Sequence, residues 1–229
     1  MRMPEYSKLP KEFQCAEVKA YYDILKTKSA SLVLKRIFDV TVAIFMILFL
    51  LLPMAVIAIM IKFTSKGPVI YKQERVTTFN RKFRIWKFRT MRTDADAKGE
   101  LLTVGEDSRI TKIGGFLRKF RLDELPQIFH VLSGKMSIVG TRPEVPKFTT
   151  KYTNAMMATL LLPAGVTSLA SIKFKDEAAL LEKADDVDKA YIEVILPEKM
   201  KYNLEYIVKF SFKSDFRLIF KTVAEVFTS

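Results

Sequence analysis

The sequence predicts an α+β, monotopic, membrane-embedded protein: a re-entrant helix, interfacial amphipathic helices and a small sheet. Three observations predict it. One uncharged apolar run is long enough to enter a bilayer, a proline lies inside it, and basic residues flank both of its ends.

The run from Val40 to Ile61 spans 22 residues without a charge, interrupted only by Thr41 and Pro53. About 20 apolar residues suffice to cross a hydrocarbon core about 30 Å thick. Lys35 and Arg36 precede the run, and Lys62 and Lys66 follow it. Basic residues favour the cytoplasmic side, so both ends are drawn to the same face. Proline lacks a backbone donor and clashes with the preceding turn. Pro53 thus leaves arms of about 13 and about 8 residues, roughly 20 and 12 Å long, each too short to cross. A helix that enters, turns at Leu52-Pro53 and leaves on the same side meets both observations. A proline-kinked spanning helix is the alternative.

The remaining organisation is one-sided. Residues 1–34 form an N-terminal arm, in which 11–28 read as a helix with Phe13, Val18, Tyr21 and Leu25 as its buried stripe. Residues 35–66 hold the re-entrant helix, and 67–229 a cytoplasmic domain. Its C-terminal stretch sets Phe216, Ile219, Phe220, Val223 and Phe227 at helical spacing. That pattern suits either an interfacial amphipathic helix or one packed on the core.

Composition narrows the chemistry. Lys and Arg number 38 against 25 Asp and Glu, a formal charge of +13. Such a balance beside an apolar segment points to anionic partners: phosphates, nucleic acid or an anionic phospholipid membrane. One Cys (Cys15) and one His (His130) exclude an internal disulfide and a structural zinc site. The first thirty residues are polar and mixed in charge, unlike a signal peptide.

Between Lys62 and Arg121 stand 16 basic and 6 acidic residues. Val69-Ile70-Tyr71 and Phe83-Arg84-Ile85-Trp86 read as two short strands joined by a polar turn near Thr77 to Arg81. Ser108 suits the N-cap of a helix carrying Ile110, Ile113, Leu117 and Phe120. Gly114-Gly115 inside that helix implies a close neighbour. Basic residues interleaved with aromatics, as in Lys87-Phe88-Arg89, also suit nucleic acid, yet no DNA- or RNA-binding signature accompanies them.

The segment Arg118 to Gln127 places Asp123 and Glu124 at the start of a helix that has Pro126 in its first turn. Leu125, Ile128, Phe129 and Leu132 form its apolar stripe and Gly134 its end. Acids there can simply cap the helix, a contribution of about 0.3–1 kcal/mol. Two adjacent acids in a basic segment also suit a divalent metal with a phosphate substrate, since Lys and Arg neutralise the phosphates. His130, in the apolar helix, reads as a packing or surface residue rather than a base.

Six motifs follow in order: Lys35-Arg36-Ile37-Phe38-Asp39, Gln73-Glu74-Arg75-Val76, Trp86-Lys87-Phe88-Arg89-Thr90-Met91, Asp107-Ser108-Arg109-Ile110-Thr111, Leu122-Asp123-Glu124-Leu125-Pro126-Gln127 and Met136-Ser137-Ile138-Val139-Gly140-Thr141-Arg142-Pro143-Glu144. From about Lys35 to the C-terminus this resembles the bacterial sugar transferase family, the monotopic phosphoglycosyl transferases that start glycan assembly on undecaprenyl phosphate. The length resembles a minimal member, without the multi-span N-terminal region of larger relatives. Three stretches depart from the family pattern: Thr77 where Gly is common, Gly140-Thr141-Arg142-Pro143 for Gly-Pro-Arg-Pro, and Pro163 to Ser168 for Pro-Gly-Ile-Thr-Gly.

The resemblance implies a transferase at the cytoplasmic face of the bacterial inner membrane, with 67–229 as its catalytic domain. It implies a UDP-sugar donor, a polyprenyl phosphate acceptor and Mg2+ held by Asp123 and Glu124. Asp123 would attack the sugar-bearing phosphate and release UMP, and the lipid phosphate would take the sugar phosphate from the carboxylate. Arg118 and Arg142, with Lys87, Arg89 and Arg75, match positions suited to phosphate. The other class of reading is a membrane-tethered module that uses its basic face on anionic lipid or nucleic acid.

Overall fold

The computed structural model describes residues 1, 3–92, 109–174, 177–181, 184 and 186–228, with backbone alone for 178–179 and 226–228. Helices dominate, with two small two-stranded sheets between them.

Helix α1 (Ala16–Thr27) buries Val18, Tyr22 and Leu25, spaced to share one face. Tyr22 takes the place predicted for Tyr21: it lies four residues past Val18, and its hydroxyl donates to the Pro4 carbonyl at 2.7 Å. This face packs with Phe13, Leu9, Leu160, Leu161, Ile207 and Phe210 into the largest apolar cluster. The N-terminal arm is therefore part of the core.

Helix α2 (Ser29–Thr64) starts before Lys35, so the boundary expected there falls inside a helix of 36 residues. The chain remains helical through Pro53. Leu32, Lys35, Asp39 and Ala43 are buried toward its start, Met54 and Ile61 toward its end. Between them Phe45, Leu48, Phe49, Leu51 and Leu52 are 57–77% exposed. Lys35 Nζ, 3% exposed as a residue, donates to Asp215 at 2.6 Å and to the Val139 carbonyl at 2.7 Å. One turn on, the Asp39 carboxylate accepts from the Ser137 hydroxyl at 2.7 Å and the Ile138 amide at 3.1 Å. At the far end, Arg89 donates to Ser65 and to the Pro68 carbonyl, while Ile61 packs with Phe88 and Leu117. Both ends of α2 are thus fastened to the same body.

Strands β1 (Ile70–Thr77) and β2 (Arg81–Phe88) form an antiparallel ribbon in which Ile70 faces Phe88 and Thr77 faces Arg81. They run longer than the apolar windows in the sequence, because ladder hydrogen bonds join backbones and admit the polar Gln73, Glu74 and Arg75. The turn is Thr78–Asn80, with Phe79 and Asn80 left-handed at φ 56° and 57°. Strands β3 (Met136–Val139) and β4 (Ala164–Thr167) pair in parallel. Their ends approach so closely that a Cβ on Gly165 would lie 2.2 Å from the Gly140 nitrogen. Thr77, in place of the common Gly, spans both strands: its hydroxyl donates to the Lys135 carbonyl at 2.6 Å and accepts from the Ala164 amide at 3.2 Å.

Helix α3 (Lys112–Lys119) is capped by Thr111, whose hydroxyl oxygen accepts from the Gly114 amide at 3.0 Å. The expected cap, Ser108, lies outside the described residues. Gly114 meets its expected close neighbour: a Cβ there would lie 2.0 Å from the Thr90 carbonyl oxygen. Ile113 and Leu117 face α2, but Phe120, just past the helix, is 42% exposed, beside Phe116 at 53%. Helix α4 (Ile128–Leu132) is shorter than predicted, since Leu122–Gln127 winds as a 3-10 helix. The tighter winding rotates the stripe. Ile128 and Val131 are buried while Leu132 is exposed, and Gly134 ends the element at φ 78°.

Helices α5 (Leu196–Lys209) and α6 (Phe212–Thr228) close the chain. Asp215 turns α6 inward to Lys35, and Leu218 and Ile219 pack on the core. Phe216, Phe220 and Val223 stay 38%, 68% and 50% exposed. The side chain of Phe227 lies outside the described residues.

Candidate active site

Three elements bring the site together. Arg121, left-handed at φ 56°, turns the chain out of α3 into the 3-10 helix that carries Asp123 and Glu124. Neither acid caps that helix; both face inward and are 8% exposed. Strand β2, packed against this helix, supplies Lys87, and the loop after β3 supplies Arg142.

The two acids differ. Lys87 Nζ donates to Glu124 Oε1 at 2.8 Å. The Arg142 guanidinium forks over the same carboxylate, Nη2 to Oε1 and Nη1 to Oε2 at 3.3 Å. Paired, planar contacts of this kind are the strong ones. Burial pushes the Glu124 carboxyl up, but Arg142 and Lys87 outweigh it and hold the group well below the usual carboxylate range. The Asp123 carboxylate makes no hydrogen bond or ion pair among the described residues. Burial pushes its carboxyl above the ordinary range; Lys87, Arg118 and Arg142 pull the other way, and the Glu124 charge adds to the push. Burial also pulls the Lys87 ammonium down.

Arg118, at the end of α3, completes the cationic surround of Asp123. Its Nη1 is buried with no hydrogen-bond partner among the described residues. A buried guanidinium donor without an acceptor fits an anion supplied by a substrate.

The other basic residues stand apart. Arg89, expected as a phosphate contact, ties β2 to the end of α2 through its Nη atoms, which donate to Ser65 and Pro68, while its buried Nε has no partner among the described residues. Arg75 braces the loop of Arg142: it donates to Gln73 Oε1 at 2.7 and 3.0 Å and to the Pro143 carbonyl at 3.2 Å. Leu52 and Pro53 lie on the exposed stretch of α2. His130 is a packing residue, 3% exposed: its Nε2 accepts from the Trp86 backbone amide at 3.1 Å, and burial lowers its pKa to about 4.

Sequence reasoning did not single out Glu144 beyond its place in a motif, nor Tyr191. Their side chains meet across 47 positions, and no local pattern links them.

Asp123 could hold Mg2+. Among the described residues no group of three or more His, Cys, Asp or Glu could do so alone. Mg2+ that keeps its waters and bridges substrate phosphates needs only one or two carboxylates, and Asp123 has free oxygens where Glu124 is engaged.

Comparison with known proteins places the chain among sugar-phosphate transferases. A Bacillus subtilis (strain 168) protein, provisionally named an undecaprenyl-phosphate N-acetylgalactosaminyl 1-phosphate transferase, is 40% identical over 145 residues, 63% of this chain and 80% of its own. The Klebsiella pneumoniae UDP-glucose:undecaprenyl-phosphate glucose-1-phosphate transferase is 36% identical over 86% of this chain and 41% of its own. The chain thus spans about two fifths of that relative. The Rhizobium leguminosarum bv. phaseoli exopolysaccharide production protein PSS is 35% identical over 86% of this chain and 96% of its own. The bacterial sugar transferase family matches residues 30–229, a stretch that holds the acid pair, all its cations and the whole of α2 beyond Ser29, and the chain belongs to that family.

Proposed function

We propose that this protein moves a sugar 1-phosphate from a UDP-sugar to undecaprenyl (polyprenyl) phosphate at the cytoplasmic face of a bacterial inner membrane. The observation that carries the reading is the contrast within the acid pair: an uncommitted Asp123 carboxylate beside a Glu124 locked by Lys87 and Arg142. Two relatives with this match are named UDP-glucose:undecaprenyl-phosphate glucose-1-phosphate transferases.

Asp123 Oδ attacks the phosphorus that bears the sugar, and the bond to the bridging oxygen breaks with release of UMP. An oxygen of the lipid phosphate then attacks the same phosphorus. The acyl phosphate bond breaks, freeing the Asp123 carboxylate and leaving a lipid diphosphosugar. Arg118 and Arg142 receive phosphate oxygens, and Lys87 keeps Glu124 charged and in place. Mg2+ on Asp123, when bound, offsets charge on the diphosphate.

The membrane reading rests on α2. A straight helix of this length would extend about 54 Å, yet its two ends are fastened to one folded body. An apolar stretch left between two such anchors enters and leaves a bilayer from one side. The bare apolar edges of α3 and α6, at Phe116, Phe120, Phe216 and Phe220, suit the same interface. The alternative binding module draws less support, because Lys87, Phe88 and Arg89 face the interior instead of offering a basic surface.

The test is a trapping experiment. Wild-type protein given labelled UDP-sugar and Mg2+ without lipid acceptor should retain label that hydroxylamine removes, and Asp123→Asn should retain none. Good turnover with no labelled protein after rapid quenching would instead mean direct transfer between the substrates, with Asp123 holding metal only.

A further inference from the structure

A second buried polar cluster lies behind the acid pair. Glu144, two residues past Arg142, is 9% exposed. Its Oε1 accepts from the Val145 amide at 2.9 Å and lies 3.9 Å from Arg75 Nη1; its Oε2 accepts from the Tyr191 hydroxyl at 2.5 Å. Lys199 Nζ donates to that hydroxyl at 3.1 Å and to Glu177 at 2.9 Å. Tyr191 is 2% exposed and opens a π-helical turn, Tyr191–Ile195, just before Pro197. Such turns are rare and concentrate at functional sites.

The loop of Arg142 is held on both flanks. Before it, the Gly140 amide donates to the Thr167 carbonyl at 3.0 Å, and the Thr141 carbonyl accepts from the Gly165 amide at 2.8 Å. After it, the Val76 amide donates to the Glu144 carbonyl at 2.9 Å, and Tyr191 grips the Glu144 side chain. A fork that must meet two carboxylate oxygens and still receive a phosphate tolerates a misplacement of only about 0.5 Å.

We propose that the Glu144–Tyr191 pair, supported by Lys199, is the positioning element for Arg142 and so sets donor binding without touching the donor. It rests on the transferase reading above. Burial and the Glu144 charge push the Tyr191 hydroxyl up, so it remains a donor across the working pH range.

UMP release by the wild-type protein from a UDP-sugar and undecaprenyl phosphate tests the transferase reading separately. Given that turnover, Tyr191→Phe should raise the donor KM about tenfold, the equivalent of one charged hydrogen bond, and leave the acceptor KM within about twofold. In an Arg142→Lys background the same change should add less than about twofold, because the residue it positions is already lost. Glu144→Ala should match Tyr191→Phe, while Glu144→Gln, which keeps an oxygen to accept from Tyr191, stays within about threefold of wild type. Unchanged donor KM in Tyr191→Phe, losses that multiply in the double variant, or Gln as poor as Ala would each overturn the proposal. Should Tyr191→Phe fail to fold, the comparison of Glu144→Gln with Glu144→Ala decides alone.

Discussion

Lys87 Nζ lies 2.8 Å from Glu124 Oε1, and Arg142 forks over the same carboxylate from the opposite element. Removing one partner of such a buried group leaves the other charge uncompensated, at a cost of about 3–5 kcal/mol. Glu124 is therefore fixed as a counter-ion. Its neighbour Asp123, one residue away, is left uncommitted, as the proposed reaction requires.

That asymmetry predicts a pH profile. In the proposed reaction Asp123 attacks only as the carboxylate, and burial pushes that carboxyl above the ordinary range. Activity should rise with pH through a midpoint higher than that of a free Asp. In Glu124→Gln the negative charge that raised it is gone, and the cations it held are freed. The acid limb should move to lower pH even though maximal turnover falls. The pH dependence of kcat/KM checks this; a limb moving upward would contradict the assignment.

Arg142→Lys keeps the charge but loses the planar fork. Loss of one preorganised donor to a developing charge costs about 10²–10³ in rate. A fall of about a hundredfold in kcat/KM, with thermal stability close to wild type, is expected from steady-state assays beside a melting curve. Full activity would place Arg142 off the phosphate path.

The pair of Lys35 and Asp215, with side chains each 4% exposed, fastens α2 to α6. Asp215→Asn leaves a buried ammonium without its anion and should destabilise the fold by about 3–5 kcal/mol. Lys35→Met with Asp215→Leu should recover much of that loss, because no charge is then stranded. Denaturant unfolding in detergent measures both.

Tags placed before Lys35 and after Lys66 should report the same, cytoplasmic, side. Opposite sides would require α2 to cross. Pro53→Ala restores the missing backbone donor and straightens about 22 apolar residues, enough to span, so it should convert part of the population to a crossing form.

Much of this was legible in the chain. The uncharged run with its proline, the glycine pair of which Gly114 crowds Thr90, and the adjacent acids in a basic segment are local facts, and periodicity or spacing exposes them. The shift from Tyr21 to Tyr22 and the exposed Leu132 were not, because one step around a helix changes a side chain's direction by about 100° and a 3-10 turn changes it further. Arg89 and Arg142 look alike as basic residues in ordered motifs. Only packing gives one to the carbonyls at the end of α2 and the other to Glu124.

The sequence by itself determined the apolar helix, the order of the motifs and the residue types around the acids, since these follow from composition and near-neighbour spacing. Tertiary structure alone decided which acid is paired and which is free, that both ends of α2 rest on one body, and that Tyr191 meets Glu144. Each of these depends on contacts between side chains far apart in the chain, where closure of the fold, and no local preference, sets the distance.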